Sequence, residues 1–207
     1  MTEPSSTIRV LVADDQSLVR GALVALLNTE TDIEVVAETG TGADVAALAA
    51  AHRVDVAVLD IEMPEVNGIE AAAEVSTHHP STRSLIVTTF GRPGYLKRAL
   101  AAGASGFLVK DTPPAQLAEA IRRVARGLRA VDPAIAEESL FVPDNPLTAR
   151  EVEVCKLVLA GLDPRQIAAR MHLSYGTVRN MLSSITSKTG AAHRSAAVET
   201  AERNGWL

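Results

Sequence analysis

Cysteine, aromatic side chains and long apolar runs are all scarce in this chain. Its one cysteine, Cys155, stands alone. That excludes an internal disulfide and a thiolate cluster for a metal, and it leaves the thiol as a small core residue on an apolar face. Aromatics make up 3% of the sequence, so Ala, Val, Leu and Ile must fill the interior. No apolar stretch approaches the roughly 20 residues that cross a bilayer. The opening residues Met1–Val10 lack a basic start followed by an apolar run. Membrane insertion is therefore not expected, and a cytoplasmic, reducing setting is. Internal repeats and low-complexity tracts are missing as well.

An excess of positive charge is also absent. The formal net charge of −5 argues against a nucleic-acid partner when averaged over the chain. Its distribution says otherwise. Residues 1–130 hold 12 Lys+Arg against 16 Asp+Glu, and residues 131–146 hold four acids and no base. Residues 147–207 hold 8 bases against 5 acids, the only part with a favourable sign for a phosphate backbone.

What is present is enough chain for two domains. The 207 residues are 47% hydrophobic and 22% charged, an ordinary globular balance. The first 127 alternate short β-branched runs with Ala/Leu-rich stretches. Strands are predicted over Ile8–Ala13, Ile33–Ala37, Val54–Leu59, Ser84–Thr88 and Ser105–Val109. Helices are predicted over Ser17–Asn28, from Asp44 to His52, and over Gly68–His79, Pro93–Ala102 and Pro113–Arg126. Parallel crossovers need helices, so five such pairs predict an α/β doubly wound (βα)5 parallel sheet. Residues 128–146, interrupted by Pro133, Pro143 and Pro146, read as a linker with one short helical stretch at Ala134–Leu140. Residues 147–207 show only helical patterns.

In open α/β sheets, ligands gather at the carboxyl ends of the strands. Here those ends carry Asp14 and Asp15, Asp60, Thr88 and Thr89, and Lys110. Three converging carboxylates repel unless a cation joins them. A hard ion such as Mg²⁺ suits oxygen ligands and keeps open positions for a phosphoryl group. Lys110 would balance the added charge, the Thr88 hydroxyl would donate to a phosphoryl oxygen, and a carboxylate could serve as the nucleophile. A lone Asp after a strand is usually a turn or cap residue. Four such positions at successive strand ends are hard to reconcile with that reading.

These residues carry a resemblance. Asp14-Asp15, Asp60-Ile-Glu-Met-Pro64, Thr88-Thr-Phe90 and Gly106-Phe-Leu-Val-Lys110 resemble the receiver domain of two-component response regulators. The resemblance implies Asp60 as phosphoacceptor, with Asp15 and the backbone carbonyl of Glu62 as Mg²⁺ ligands and Asp14 acting partly through water. It implies Thr88 as the switch hydroxyl, Lys110 as the family's conserved cation, and Phe107 as an aromatic that reorients with Thr88. Phe107 reads equally well as a core side chain. Glu62 and Phe90 are expected to flank the attacking water and tune dephosphorylation.

The last 61 residues open with Leu147-Thr-Ala-Arg-Glu151, where Thr148 and Glu151 predict a capping box. Gly161 ends that helix, and Asp163-Pro164 starts a short second one. Ser174 caps a third over Tyr175–Lys188, and Ser195–Arg203 is a fourth. A short helix, a tight connection and a longer helix fit a helix-turn-helix. The segment resembles the LuxR/NarL-type output domain, which implies that Arg179, Asn180 and Ser183 face bases. Arg suits guanine and Asn suits adenine. Ser174, Thr177, Arg165 and Lys188 would touch phosphates, with a solvated helix face as the plain alternative for Arg165 and Lys188. Val178, Leu182 and Ile185 should pack inward.

The combined expectation is a receiver domain (1–127), a linker (128–146) and a small all-α helix-turn-helix domain (147–207). A sensor histidine kinase would phosphorylate Asp60, a homodimer would form, and promoter DNA would be bound. Leu18, Val24, Leu117 and Ile121 are candidates for the dimer contact, with core packing as the competing explanation. Thr88–Arg98 further resembles regulators of membrane-lipid desaturation paired with a thermosensing kinase. Two rivals remain: a DNA binder whose receiver no longer takes phosphate, and a phosphotransfer or flavin enzyme on the same sheet topology. An Asp-nucleophile phosphatase would want a second Asp where Glu62 stands, and flavin phosphate would be repelled by Asp14 and Asp15.

Overall fold

Valine and isoleucine, stiff at χ1 and suited to a pleated surface, mark the strands. These are β1 (Ile8–Ala13), β2 (Ile33–Thr39), β3 (Val56–Leu59), β4 (Arg83–Thr88) and β5 (Gly106–Val109). Between and after them run α1 (Ser17–Leu27), α2 (Val45–Ala51), α3 (Gly68–His78), α4 (Pro93–Ala101) and α5 (Pro114–Ala125). The computed structural model describes residues 7–89, 91, 93–141 and 143–207. The chain divides into two compact units whose main boundary falls between Glu137 and Glu138.

In the first unit every strand pair is parallel, in the order β2-β1-β3-β4-β5-β6, where β6 is the two-residue strand Ala130–Val131. The central strand β3 is buried at all four residues, as a sheet covered on both faces requires. Val10, Val12, Val58, Leu85 and Ile121 build the core on one side of it. Strand order reverses between β1 and β3, and that switch point opens a crevice beyond their carboxyl ends. The Asp60 amide donates to the Ala13 carbonyl at 2.8 Å, tying the two ends together.

The segment expected to be a linker is partly ordered. Gly127, with φ of 82°, turns the chain back after α5. Ala130–Val131 then pairs parallel with β5 as β6. Asp132 caps α6 (Pro133–Ser139) by accepting from the Ala134 amide at 2.8 Å. The helical stretch expected at Ala134–Leu140 is this α6, with Pro133 at a helix start, where its missing N–H costs nothing; β6 alone was not foreseen. A two-residue strand, moreover, is too short to show a period of two.

The second unit packs α7 (Ala149–Leu159), α8 (Pro164–Arg170), α9 (Tyr175–Thr189) and α10 (Arg194–Arg203). Capping boxes at Thr148/Glu151 and Asp163/Gln166 start α7 and α8, and Ser174 caps α9. The core joins Val154, Cys155, Ile167, Val178, Leu182 and Ile185. Leu159, the last residue of α7, is 48% exposed. Trp206 closes the unit, its indole donating to the Pro143 carbonyl at 3.2 Å. Among the described residues, no helix is long and apolar enough to cross a membrane.

Candidate functional site

The acidic pocket forms because β1 and β3 stop in register and each releases a carboxylate into the crevice. Asp14 is 1% exposed and Asp60 is 2% exposed, whereas Asp15 faces solvent. Carboxylate oxygens of all three lie within 4.8 Å of one another. Asp14 Oδ1 accepts from the Gln16 amide and Asp60 Oδ1 from the Ile61 amide, at 2.9 and 2.8 Å. Each residue then turns its other oxygen toward Lys110. The Lys110 ammonium lies 2.7 Å from Asp14 Oδ2 and 3.1 Å from Asp60 Oδ2. These are charge contacts rather than aligned hydrogen bonds, because none of the three atoms completes a bond of acceptable angle.

Burial drives the Asp60 pKa up from the ordinary carboxylate value. Lys110 opposes that shift and Asp14 reinforces it. Burial also works against the Lys110 ammonium, but the two carboxylates outweigh it and raise its pKa. Three buried oxygen and nitrogen atoms with unfilled bonding capacity are an expensive arrangement for a pocket that stays as it is. The donor set fits a hard divalent ion, which would satisfy both Oδ2 atoms and relieve the repulsion.

The other expected pocket residues fall around this centre. Thr88, buried at the end of β4, accepts the Lys110 amide on its carbonyl at 2.8 Å, so β4 and β5 deliver hydroxyl and ammonium together. Phe107 is fully buried in β5, in keeping with its core reading. The Glu62 side chain is exposed just beyond β3. Phe90 lies outside the described residues.

In the second unit, Ser174, Thr177, Arg179, Asn180 and Ser183 are all exposed at the start and along one side of α9, and Arg165 is exposed on α8. Val178, Leu182 and Ile185 are buried beneath them. The Ser174 and Thr177 hydroxyls meet at 2.8 Å.

The response regulator receiver domain family matches residues 10–122, and the bacterial regulatory proteins of the luxR family match residues 145–201. This chain belongs to the LuxR-family response regulators. It is similar to the transcriptional regulatory protein DesR of Bacillus subtilis, 42% identical over 200 residues that cover 97% of this chain and 99% of DesR. It is 35% identical over 199 residues to the DNA-binding transcriptional activator DevR/DosR of Mycobacterium tuberculosis, covering 92% of each. Among solved structures it resembles the response regulator ChrA of a heme-sensing two-component system. That likeness has a TM-score of 0.59 and 33% identity, over 98% of this chain and all of ChrA. As a member of this family, the protein is a DNA-binding transcriptional regulator and not an enzyme.

Two expectations for this response regulator change with the structure. Leu117 and Ile121 are 4% and 0% exposed, so they belong to the receiver core and present no surface for a second copy. An amphipathic helix places its core face and any interface face at the same 3–4 residue spacing, which is why sequence alone could not separate them. On α1, Leu18 is 85% exposed, whereas Val24 packs against the core. Lys188 has a protein partner, Glu151 Oε2, at 2.6 Å.

Sequence reasoning missed the contacts of two residues in the second unit. The Tyr175 ring, 47% exposed, has the Arg165 and Arg179 guanidiniums 5.9 and 6.0 Å from its centroid, within reach of a cation–π contact. An aromatic directly after a helix cap, with arginines ten residues before and four after, was the available signal. Glu151 was recognised as a cap but not as a partner of α9. That pairing spans 37 residues, with no local pattern to announce it.

Proposed function

We propose that Asp60 accepts a phosphoryl group from a sensor histidine kinase, and that the phosphorylated protein dimerises on promoter DNA. The observation that carries this reading is the convergence of Asp14, Asp15 and Asp60 within 4.8 Å, with Lys110 reaching two of them. A carboxylate oxygen of Asp60 forms the new P–O bond as the bond from phosphorus to the donor breaks. Lys110 turns from the two carboxylates to the added charge, and the Thr88 hydroxyl donates to a phosphoryl oxygen. Phe107, already buried, reorients with Thr88 as the β4–β5 surface repacks. Asp14, Asp15, Asp60 and the backbone carbonyl of Glu62 would hold Mg²⁺, which supplies countercharge to the phosphoryl oxygens when bound. Glu62 and Phe90 tune the loss of phosphate.

At the other end of the chain, Arg179, Asn180 and Ser183 read base edges in the major groove, while Ser174, Thr177 and Arg165 hold phosphates. Dimerisation draws on α1, where Leu18 is exposed. The working division is a receiver over 1–127, a connector over 128–146 and an output domain over 147–207, with β6 and the start of α6 continuing the receiver. This reading places the protein in the cytoplasm. The resemblance over Thr88–Arg98 extends it to genes of membrane-lipid desaturation.

Incubation with acetyl phosphate and Mg²⁺ tests the first half. One phosphoryl mass increment is expected on the native protein and none on Asp60→Ala. An unmodified native protein would sink the regulatory reading and leave a phosphate-independent DNA binder. Selection of bound duplexes from a random pool, with and without acetyl phosphate, tests the second half and names the target sequence.

A further inference from the structure

Outside the acidic pocket, Glu151 is the one buried carboxylate among the described residues, 5% exposed. Capping α7 uses part of its capacity: Oε2 accepts from the Thr148 amide at 2.7 Å and from its hydroxyl at 3.0 Å. The remainder goes to the recognition helix. Oε1 accepts from the Ser184 hydroxyl at 2.7 Å, and Oε2 faces the Lys188 ammonium at 2.6 Å. Ser184 and Lys188 are four residues apart, one above the other on α9.

At about 100° per residue, the Ser184/Lys188 side of α9 is roughly a third of a turn from the side carrying Arg179, Asn180 and Ser183. Val178, Leu182 and Ile185 anchor a third side in the core. Apolar packing resists separation of helices but tolerates sliding and rotation better than a directed contact does. A buried carboxylate with two donors on one helix face resists both, because losing either contact strands charge away from water. Ser184 and Lys188 make these contacts from a side of α9 other than the one carrying Arg179, Asn180 and Ser183.

We propose that Glu151 is a positioning residue for DNA recognition: it fixes the rotation and height of α9 through Ser184 and Lys188, and it withdraws Lys188 from the phosphate contacts. The pairing is strong enough to hold the Glu151 carboxyl at a pKa of about 2. Burial opposes this value, and Lys188, the Thr148 amide and Ser184 impose it. Lys188 and Glu151 then act as a neutral unit next to DNA, and the arginines are left to neutralise phosphates.

The proposal rests on α9 being the helix that reads bases. Its test uses full-length phosphorylated protein and the tightest duplex recovered from the random pool, alongside single-base variants of that duplex. Each neutralised phosphate contributes about 0.9 to the slope of log K against log salt. Lys188→Gln should leave that slope unchanged, and a fall of about 0.9 would overturn the withdrawal of Lys188. Glu151→Gln and Ser184→Ala should each reduce discrimination among the base variants several-fold, and unchanged discrimination in either overturns the positioning role. Trp206 fluorescence reports folding of the unit. If a charge variant fails to fold, Ser184→Ala decides, since it leaves every charge in place. Arg179→Ala runs in parallel: lost discrimination there with none in Ser184→Ala sinks the positioning role alone, whereas no loss in Arg179→Ala sinks the reading of α9 itself.

Discussion

The backbone of Gly68 runs so close to Asp60 that a side-chain β-carbon there would overlap the Asp60 carbonyl oxygen. The Gly68 amide also donates to the Ile61 carbonyl at 3.1 Å, so the first residue of α3 clamps the end of β3 from both sides. The orientation of the Asp60 carboxylate follows from this contact, because Ile61 provides the amide that holds Oδ1. Gly68→Ala should lower stability by about 1–3 kcal/mol, the cost of forcing an extra methyl into a packed site. It should also slow labelling by acetyl phosphate. Melting curves and intact mass against time check both, and native-like labelling would show that the clamp does not govern Asp60.

Lys110 is the counterion of two buried carboxylates. Without it Asp14 and Asp60 would face each other unpaired, and removing one partner of a buried charge cluster costs about 3–5 kcal/mol. Lys110→Ala should therefore melt well below the native protein at neutral pH. Millimolar Mg²⁺ should recover more of the melting temperature in Lys110→Ala than in the native protein, because the ion fills a role that Lys110 otherwise holds. Equal shifts in the two proteins would contradict that competition.

On the proposed reading, the exposed residues of α8 and α9 divide into base readers and phosphate holders. Arg179→Ala or Asn180→Ala should cost about 1–3 kcal/mol on the preferred duplex and relax the requirement at one base position. Arg165→Ala should weaken all duplexes alike and flatten the salt dependence by about one phosphate. Binding isotherms over a salt series, on the preferred and scrambled duplexes, separate the two patterns. A uniform loss from Arg179→Ala would remove it from the base readers.

Acid should unfold the output domain along a limb set by Glu151. Its folded pKa of about 2 lies below the ordinary 4.5. The carboxylate therefore contributes stability that is complete above pH 4.5 and is lost as pH falls toward 2, on the order of 3 kcal/mol at most. Trp206, the only tryptophan in the chain, lies in this unit and reports its unfolding. Glu151→Gln should start less stable and show a flatter limb between pH 5 and 2. An unchanged limb would mean that other carboxylates govern it.

By itself the sequence determined the period of the elements and the chemistry at their ends. Alternating valine-rich and alanine-rich segments specified a parallel sheet with crossover helices, and the strand-end positions of Asp14, Asp60, Thr88 and Lys110 were legible because topology alone brings strand ends together. The caps at Thr148, Asp163 and Ser174 were equally plain, since capping depends on residues three apart. Which face of α5 meets the core, the pairing of Ala130–Val131 with β5, the exposure of Leu18 and the hold of Glu151 on Lys188 were decided only by tertiary structure. Each depends on partners dozens of residues away. A helix carries the same periodicity whether its apolar face meets its own core or another molecule, and a lysine looks the same in sequence whether it reaches solvent or a buried carboxylate.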